Sequence, residues 1–260
     1  RVAVVGAGWI GSEVAASARQ KGCEVTLIEP AEVPLERVLG REMGGLYRDV
    51  HVDHGVRFLG GTGVSAFEGS GRVERVRTDD GGTVEADLVV VGIGVAPRTA
   101  LAEGAGIAVD DGILVDASLA TDLPGVFAAG DVANAWHPFY ERRIRVEHWA
   151  NARRQGAAAG RALVGEEVSY DEIPYFFSDQ YDVGMEYVGY ASGDDELVIR
   201  GDLDARELIA FWLQGDRIAA GMNVNVWDVS ETIRDLIAGR VEVDRAALAD
   251  PGVELSSLLP

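Results

Sequence analysis

Cysteine and lysine are almost absent from this sequence of 260 residues, which contains one of each, Cys23 and Lys21. A single cysteine excludes an internal disulfide, a Cys-x-x-Cys redox pair and a cysteine-rich metal site within the chain. We expect Cys23 to pack as a small apolar residue, and we expect no metal. The other basic residues are arginines, which indicates a compositional bias rather than a site.

Long apolar runs are absent as well. No stretch approaches the roughly 18 consecutive apolar residues of a membrane span, and the first residues lack the basic start and small-residue cleavage pattern of a secretory signal. We therefore expect a cytoplasmic protein that does not associate with membranes. The chain begins at Arg1, without a methionine, and enters the apolar run Val2 to Val5 at once. We interpret it as a fragment that lacks a preceding segment.

Positive charge is scarce too. There are 43 acidic residues against 23 basic ones, which gives a formal net charge of −20. Such a balance repels phosphate backbones and anionic lipids, so we expect no nucleic-acid binding. A well-solvated surface carries the same balance, so the charge names no partner. The length suits one large domain or two to three small ones.

The first 30 residues follow the order strand, glycine turn, helix, strand. The apolar run Val2 to Val5 precedes the turn, a helical stretch runs from Ser12 to Lys21, and Val25 to Ile28 is a second apolar run. Short apolar runs of this kind are typical of strands in a parallel sheet that is covered on both faces. The order predicts a βαβ unit.

The turn reads Gly6-Ala7-Gly8-Trp9-Ile10-Gly11. In a Gly-x-Gly-x-x-Gly turn, the first glycine permits the tight turn, the second lets backbone approach a pyrophosphate, and the third lets helix and strand pack closely. The free N–H groups at the helix N-terminus then face the phosphates. The context of strand and helix makes this match specific for a dinucleotide.

Two acidic residues bear on which dinucleotide binds. Glu29 ends the second strand, 23 positions after Gly6, where a carboxylate accepts the adenosine ribose hydroxyls and repels a 2′-phosphate. Residues 30–33 offer no Arg or Lys, so NAD(H) is favoured over NADP(H). Glu13 lies in the first turn of the predicted helix, where it either is a plain first-turn acid or orients the nicotinamide carboxamide.

Beyond residue 35 the pattern alternates between helix and strand. Helices are predicted at Glu36 to His54, Thr99 to Glu103, Trp149 to Leu163 and Val229 to Ala238. Three β-rich segments separated by glycine turns predict an antiparallel meander on the parallel sheet: Val64 to Phe67, Val73 to Thr78 and Thr83 to Ala86. Further strands are predicted at Val56 to Leu59, at Leu88 to Val91 as a buried strand, and at Ile113 to Val115 and Val126 to Ala129.

After a linker at Gly165 to Tyr170 the sequence becomes β-rich, which predicts a small α+β domain. Its predicted strands are Val183 to Tyr190, Glu196 to Arg200, Leu208 to Leu213 and Arg217 to Asn225.

Several later segments carry a recognisable pattern. Gly92-Ile93-Gly94 follows the strand that ends at Val91, and Ala-Ala-Gly-Asp ends at Asp131, which by itself could be only a helix N-cap. Residues 147–156 read Glu-His-Trp-Ala-Asn-Ala-Arg-Arg-Gln-Gly, and residues 174–180 read Pro-Tyr-Phe-Phe-Ser-Asp-Gln.

With these segments the sequence resembles the two-dinucleotide-domain flavoprotein reductases, most closely the NADH-dependent ferredoxin and rubredoxin reductases that feed oxygenases, which are related to the apoptosis-inducing-factor fold. The resemblance covers nearly the whole chain. That family has an earlier Gly-x-Gly-x-x-Gly that grips the ADP half of FAD, whereas this chain has only the motif at Gly6. The resemblance therefore implies NAD and FAD as cofactors, FAD belonging to the intact protein, with the N-terminal FAD-binding segment missing here.

The implied fold class is α/β. A Rossmann-like parallel sheet with an antiparallel meander would form an NAD-binding domain at residues 1–98. Residues 99–165 would be the remnant of a second, FAD-binding dinucleotide domain. Residues 166–260 would form the C-terminal α+β domain, which resembles the reductase dimerisation domain, and a homodimer is one assembly that the resemblance allows.

The resemblance also implies roles for individual residues. Asp131 would bond the flavin ribityl chain, Trp149 would lie by the pyrimidine end of the isoalloxazine, and Phe177 stands where such enzymes often carry Trp. No side chain need act as a general acid or base, so we expect no catalytic residue in that sense, and His51, His54, His137 and His148 are interpreted as surface or satisfied residues. The residues expected to bind a cofactor are Gly6, Gly8, Trp9, Ile10, Gly11, Glu13, Glu29, Gly92, Ile93, Gly94, Gly130, Asp131, His148, Trp149, Ala150 and Phe177.

By the family's mechanism, the intact protein passes electrons from NADH through FAD to a ferredoxin or rubredoxin, and this chain is its NAD-binding and C-terminal part. An NADH oxidase or peroxidase of the same superfold, and a non-catalytic NAD(H)-binding module that senses redox state, remain alternatives. The aromatic-Ser-Asp-Gln segment counts against the oxidase. An acidic ferredoxin would need a local basic patch, for which the candidates are Arg142, Arg143, Arg145, Arg153 and Arg154.

Overall fold

The computed structural model describes residues 1–192 and 194–259. The strands, numbered in chain order, are β1 Val2–Val5, β2 Val25–Ile28, β3 Arg57–Leu59, β4 Val64–Glu68, β5 Arg75–Thr78, β6 Thr83–Glu85, β7 Leu88–Val91, β8 Ile113–Val115, β9 Ala133–His137, β10 Arg142–Ile144, β11 Tyr175–Gln180, β12 Val183–Gly189, β13 Glu196–Asp202, β14 Glu207–Gln214 and β15 Arg217–Val224. The helices are α1 Trp9–Gln20, α2 Glu36–Asp53, α3 Ala100–Gly104, α4 Trp149–Leu163, α5 Ser230–Ala238 and α6 Arg245–Ala249.

Short 3₁₀ turns occur at Gly130–Val132 and Leu255–Leu258. Within the described part of the chain, no helix is both long enough and apolar enough to cross a membrane.

The chain forms two compact units. The first comprises residues 1–94, 177–187 and 191–260, and the second comprises residues 95–176 and 188–190. The first unit therefore combines the N-terminal βαβ region with most of the C-terminal strands. The expected division at residues 98 and 165 stays a prediction.

A parallel sheet with the strand order β3-β2-β1-β7 forms the centre of the first unit. Val2 is in register with Val25 on one side and with Leu88 on the other. Val4 and Leu27 are fully buried, and Ala15 of α1 packs in the same core cluster. Because parallel strands end at a common edge, the residues that follow β1, β2 and β7 meet there.

The predicted antiparallel meander is confirmed as the sheet β4-β5-β6. Its inward residues Val76 and Val84 form one core cluster with Ala3 and Ile28 of the parallel sheet. The meander therefore covers one face of the parallel sheet.

The C-terminal strands form a five-stranded sheet with the order β11-β12-β15-β14-β13. Most of β14 is buried on both faces, including Phe211 and Trp212, which are fully buried. Helix α5 packs on β15, where Ile233 contacts Gly221 so closely that a Cβ at Gly221 would lie 2.7 Å from Ile233 Cγ2. The predicted α/β class with a C-terminal α+β domain is confirmed.

The second unit contains the sheet β10-β9-β8 and helix α4. Val115 and Leu119 pack against Ala158 and Ala159 of α4, and Tyr170 closes this core. The alanines let the helix approach the sheet closely.

Three predictions about elements are wrong. Residues 126–129 form no strand. Their backbone is hydrogen-bonded within a turn region instead: Ala128 is buried and donates its N–H to Leu119 O over 3.1 Å. Strand β7 exists but is not buried, since it is an edge strand whose Leu88 and Val91 are 55% and 51% exposed. Helix α1 begins at Trp9 instead of Ser12, because the glycine turn leads directly into it.

Candidate functional site

The glycine turn after β1 packs backbone against backbone. Gly6 has φ +95°, and a Cβ there would lie 2.4 Å from Gly92 O. A Cβ at Gly11 would lie 1.8 Å from Gly6 O. The turn, the end of β7 and the start of α1 therefore meet at distances that only glycine permits.

The second glycine has a different environment. A Cβ at Gly8 would meet nothing within 4 Å, and Gly8 caps α1 without a side-chain hydrogen bond. The backbone at Gly8, immediately before the start of α1, therefore lies beside open space. This arrangement, together with the helix dipole, fits a diphosphate.

Glu29 lies at the end of β2, half-buried beside this turn. Its carboxylate accepts the N–H of Ala7 over 2.6 Å and the N–H of Ala31 over 3.1 Å, one on each oxygen. These bonds fix the carboxylate, and each oxygen keeps a lone pair for a ribose hydroxyl.

A cavity of about 600 Å³ lies next to Glu29 and was missed by the sequence analysis. Arg37 and Arg41 line it together with Glu32, Glu36 and Asp194. Residues 30–33 contain no arginine, whereas α2 returns two arginines to the same place. Their spacing of four residues gives no signal of a shared helical face, because α2 is kinked at Gly40 between them, where φ is +80°.

One acid of this cavity pairs with one of its two arginines. Glu36 accepts a hydrogen bond from Arg41 Nε over 2.8 Å, and this bond holds the pKa of Glu36 below its usual value. The positive charge of Arg41 is thereby engaged within the cavity wall.

Glu13 lies in the second turn of α1, since the helix begins at Trp9, so its predicted place in the first turn is wrong. It is half-buried and accepts the Ser178 Oγ–H over 2.7 Å. Tyr47 lies nearby, fully buried, and burial together with the charge of Glu13 raises its pKa. Trp9 packs edge-on against Tyr47 with ring centroids 5.9 Å apart.

The remaining expected NAD-site residues present apolar surface. Ile10 is 63% exposed and Ile93 is 72% exposed. Gly94 has φ +115°, and a Cβ there would meet nothing within 4 Å. In the first unit the structure thus brings together Gly6, Gly11, Gly92 and Ile93 at one sheet edge, with Glu29 beside them.

In the second unit, Gly130 packs against α4. Its N–H donates to Gln155 Oε1 over 2.8 Å, and a Cβ on it would lie 3.3 Å from the Ala152 Cβ. Asp131, which follows in the 3₁₀ turn, is exposed. An exposed carboxylate beside a helix start fits the hydroxyls of a ribityl chain.

Helix α4 begins with three of the expected flavin-site residues. His148 is the N-cap residue and stacks on Phe176 at a centroid distance of 3.9 Å, and burial lowers its pKa to about 4. Trp149 is 68% exposed, with the Arg153 guanidinium 4.5 Å from its ring centroid. Ala150 is half-buried. Phe177, on β11 in the first unit, is 55% exposed.

The other histidines are in packed surroundings. His51 is fully buried, and burial lowers its pKa to about 4. His54 stacks on Tyr181 with ring centroids 3.8 Å apart. His137 is buried and contacts Glu172 O through Nε2 over 3.1 Å. Their assignment as non-catalytic stays a prediction.

The five arginines of the expected basic patch are used differently. Arg145 pairs with Glu147 and Asp111, and Arg154 pairs with Glu172. Arg143 donates to Val115 O over 2.7 Å and to Asn134 O over 2.9 Å. Arg142 and Arg153 are exposed and lie over the rings of Tyr190 and Trp149.

Comparisons with known proteins agree with this architecture. Residues 1–156 match the family model described as pyridine nucleotide-disulphide oxidoreductase, and residues 175–259 match the model described as reductase C-terminal. The chain is 42% identical, over its whole length and 64% of the relative, to the ferredoxin–NAD(+) reductase component of the anthranilate 1,2-dioxygenase system of Burkholderia cepacia. It is 36% identical to the putidaredoxin reductase of Pseudomonas putida, over all of this chain and 62% of that one.

Solved structures give the same result. A ferredoxin reductase from Rhodopseudomonas palustris matches with a TM-score of 0.94 and 35% identity, over all of this chain and 64% of that chain. The chain thus spans less than two thirds of the length of these relatives. The resemblance to flavoprotein reductases is confirmed, and because the first family model matches more than half of its residues, the chain belongs to the pyridine nucleotide-disulphide oxidoreductase family.

Proposed function

We propose that the whole protein is an NADH-dependent flavoprotein reductase, which passes electrons from NADH through FAD to a ferredoxin or rubredoxin. This chain forms its NAD-binding and C-terminal parts. The observation that carries the proposal is the glycine turn, whose backbone contacts exclude side chains at Gly6 and Gly11, with the fixed carboxylate of Glu29 beside it. The relatives named above are reductases of ferredoxin and putidaredoxin, which supports the choice of acceptor.

The NAD site uses backbone more than side chains. The backbone at the start of α1 binds the diphosphate, and Glu29 accepts the ribose hydroxyls. Trp9, Ile10, Ile93 and Gly94 flank the dinucleotide, and Glu13 orients the nicotinamide carboxamide. Glu29 repels a 2′-phosphate, and Glu36 keeps Arg41 from attracting one, so NADH is the expected donor.

The flavin contacts assigned to this chain come from Gly130, Asp131, His148, Trp149, Ala150 and Phe177. When bound, FAD would accept two electrons from the nicotinamide and release them singly. Gly130 lets the turn approach α4, and the exposed Asp131 carboxylate accepts hydrogen bonds from the ribityl hydroxyls. His148 stays neutral at pH 7 because burial lowers its pKa to about 4, so it adds no charge there. We also propose a cytoplasmic location, where NADH is available.

The test is an anaerobic titration of the full-length protein with NADH, followed in the visible flavin band. We expect NADH to bleach the band, and oxidised ferredoxin or rubredoxin to restore it much faster than dissolved oxygen does. Faster restoration by oxygen or peroxide would instead indicate an oxidase or peroxidase. Binding of NADH without bleaching would indicate a redox-sensing module.

A further inference from the structure

Strand β11 presents a buried polar face. Ser178 is 2% exposed and Gln180 is fully buried, whereas Phe177 and Asp179 on the opposite face are exposed. Buried polar side chains are costly unless they are hydrogen-bonded. Ser178 meets this requirement through Glu13 of α1, which lies 165 positions earlier in the chain.

The hydroxyl of Ser178 has one proton, and its neighbours determine where that proton points. The Gln180 Nε2 amide donates to Ser178 Oγ over 3.3 Å, so Oγ is an acceptor in that bond. The proton is therefore directed to Glu13 Oε1, at an Oγ to Oε1 distance of 2.7 Å. A hydroxyl bond to a carboxylate is charge-assisted and stronger than a neutral one.

This bond restricts the Glu13 side chain before any ligand arrives. A free glutamate side chain loses conformational entropy when it is fixed, and a side chain held in advance does not repeat that cost on binding. Oε1 is occupied by Ser178, and Oε2 remains available as an acceptor for a donor on a ligand.

We infer that Ser178 is a positioning residue, which holds Glu13 ready to accept an N–H of the nicotinamide carboxamide, with Gln180 orienting the Ser178 hydroxyl. The inference rests on the proposed function, since bound NAD supplies the carboxamide. It gives the C-terminal sheet a part in the NAD site, although the glycine turn and Glu29 lie in the N-terminal region.

The test measures binding of two probes to the full-length protein by calorimetry. Tetrahydro-NADH is inert to hydride transfer and keeps the carboxamide, and ADP-ribose lacks the nicotinamide. For Ser178→Ala we expect the Kd for tetrahydro-NADH to rise about fivefold to tenfold, which corresponds to one hydrogen bond. The Kd for ADP-ribose should change by less than about twofold, because Glu13 contacts only the nicotinamide end.

Ser230→Ala is the matched control. Ser230 also donates its hydroxyl to a carboxylate, that of Glu186, within the C-terminal region, and its loss should leave both Kd values unchanged. Ser178→Thr keeps the hydroxyl and should restore most of the affinity. In a Glu13→Ala background, Ser178→Ala should have no further effect on tetrahydro-NADH.

An equal loss of affinity for both probes in Ser178→Ala would overturn the inference, because that result indicates general damage to the NAD-binding region. An additive loss in the double variant would overturn it too, and so would an unchanged Kd for tetrahydro-NADH. Neither probe requires a flavin or an electron acceptor. A positive result would therefore stand even if the protein did not reduce a ferredoxin.

Discussion

Glu29 has two tasks at once. Its carboxylate accepts the N–H groups of Ala7 and Ala31 and so fixes the backbone around it, and in the proposed function its charge selects NADH over NADPH. Replacing Glu29 by glutamine removes the charge and keeps one acceptor oxygen, so one of the two bonds to the backbone is retained and the other is lost.

Glu29→Gln should lower the preference for NADH over NADPH, measured as the ratio of the kcat/KM values, by about tenfold, since the loss of one nearby repulsive charge is of the order of 1.4 kcal/mol. Adding Glu36→Gln should lower it further, because Arg41 is then free to face the cavity. Glu24→Gln, at the opposite end of β2 and exposed, is the control. A ratio that does not change in the double variant would contradict this account.

For single residues, roles that depend on neighbours in the sequence could be predicted, whereas contacts between residues far apart in the sequence could not. The tight turn at Gly6 and the close packing at Gly11 follow from spacing and are present in the structure. The bond between Glu13 and Ser178 joins residues far apart in sequence, so no local pattern indicates it. The arginines at the cavity were missed because the return of α2 toward β2 is a tertiary event.

Helix α2 shows how one element accommodates close packing. It is kinked at Gly40, which has φ +80°, and continues through Gly44 and Gly45. A Cβ at Gly44 would lie 2.5 Å from Pro34 O and 2.5 Å from Val33 Cγ2, whereas a Cβ at Gly45 would meet nothing within 4 Å. Gly44 is thus required for close packing against the loop before α2, whereas Gly45 is not.

Gly45→Ala should stabilise the protein by about 0.5–1 kcal/mol, because alanine loses less backbone entropy in a helix. Gly44→Ala should destabilise it by about 1–3 kcal/mol through overpacking against the loop before α2. Chemical denaturation of both variants beside the wild type measures the difference. Stabilisation by both variants would show that the loop at Val33 and Pro34 moves away from Gly44, and destabilisation by both would contradict the helix-entropy argument for Gly45.

Strands that are rich in β-branched residues, such as Val2–Val5 and Val25–Ile28, could be predicted from the sequence. Strand β9, Ala133–His137, was not predicted, because Ala, Asn and His have low β propensity. Hydrogen bonding to β8 and β10 stabilises this strand in the structure. Residues 126–129 are the opposite case: their composition is typical of a strand, but Phe127 forms an isolated bridge with Ala120 instead of a continuous ladder.

At the scale of the whole chain the formal net charge is −20, and under the proposed function an acidic electron carrier would have to approach through a locally positive surface. Arg145 and Arg154 are neutralised by acids, and Arg143 holds two backbone carbonyls. Arg142 and Arg153 are therefore the arginines of this group suited to meet a partner.

Arg142→Glu together with Arg153→Glu should slow reduction of an acidic ferredoxin about tenfold at low ionic strength and flatten the salt dependence of the rate. Stopped-flow kinetics at several salt concentrations measures both. Arg72→Glu, on an exposed turn of the meander, should have little effect. Equal slowing by Arg72→Glu would indicate that net charge alone steers the partner.

The bond from Ser178 to Glu13 also bears on how such proteins can be recombined. The family models divide the chain between residues 156 and 175, which invites exchange of the C-terminal part between relatives. The described structure instead packs most of that part with the N-terminal region in one unit. A chimera that joins Glu13 to a foreign strand without a hydroxyl at the position of Ser178 would fold from two intact halves yet inherit an unanchored carboxylate.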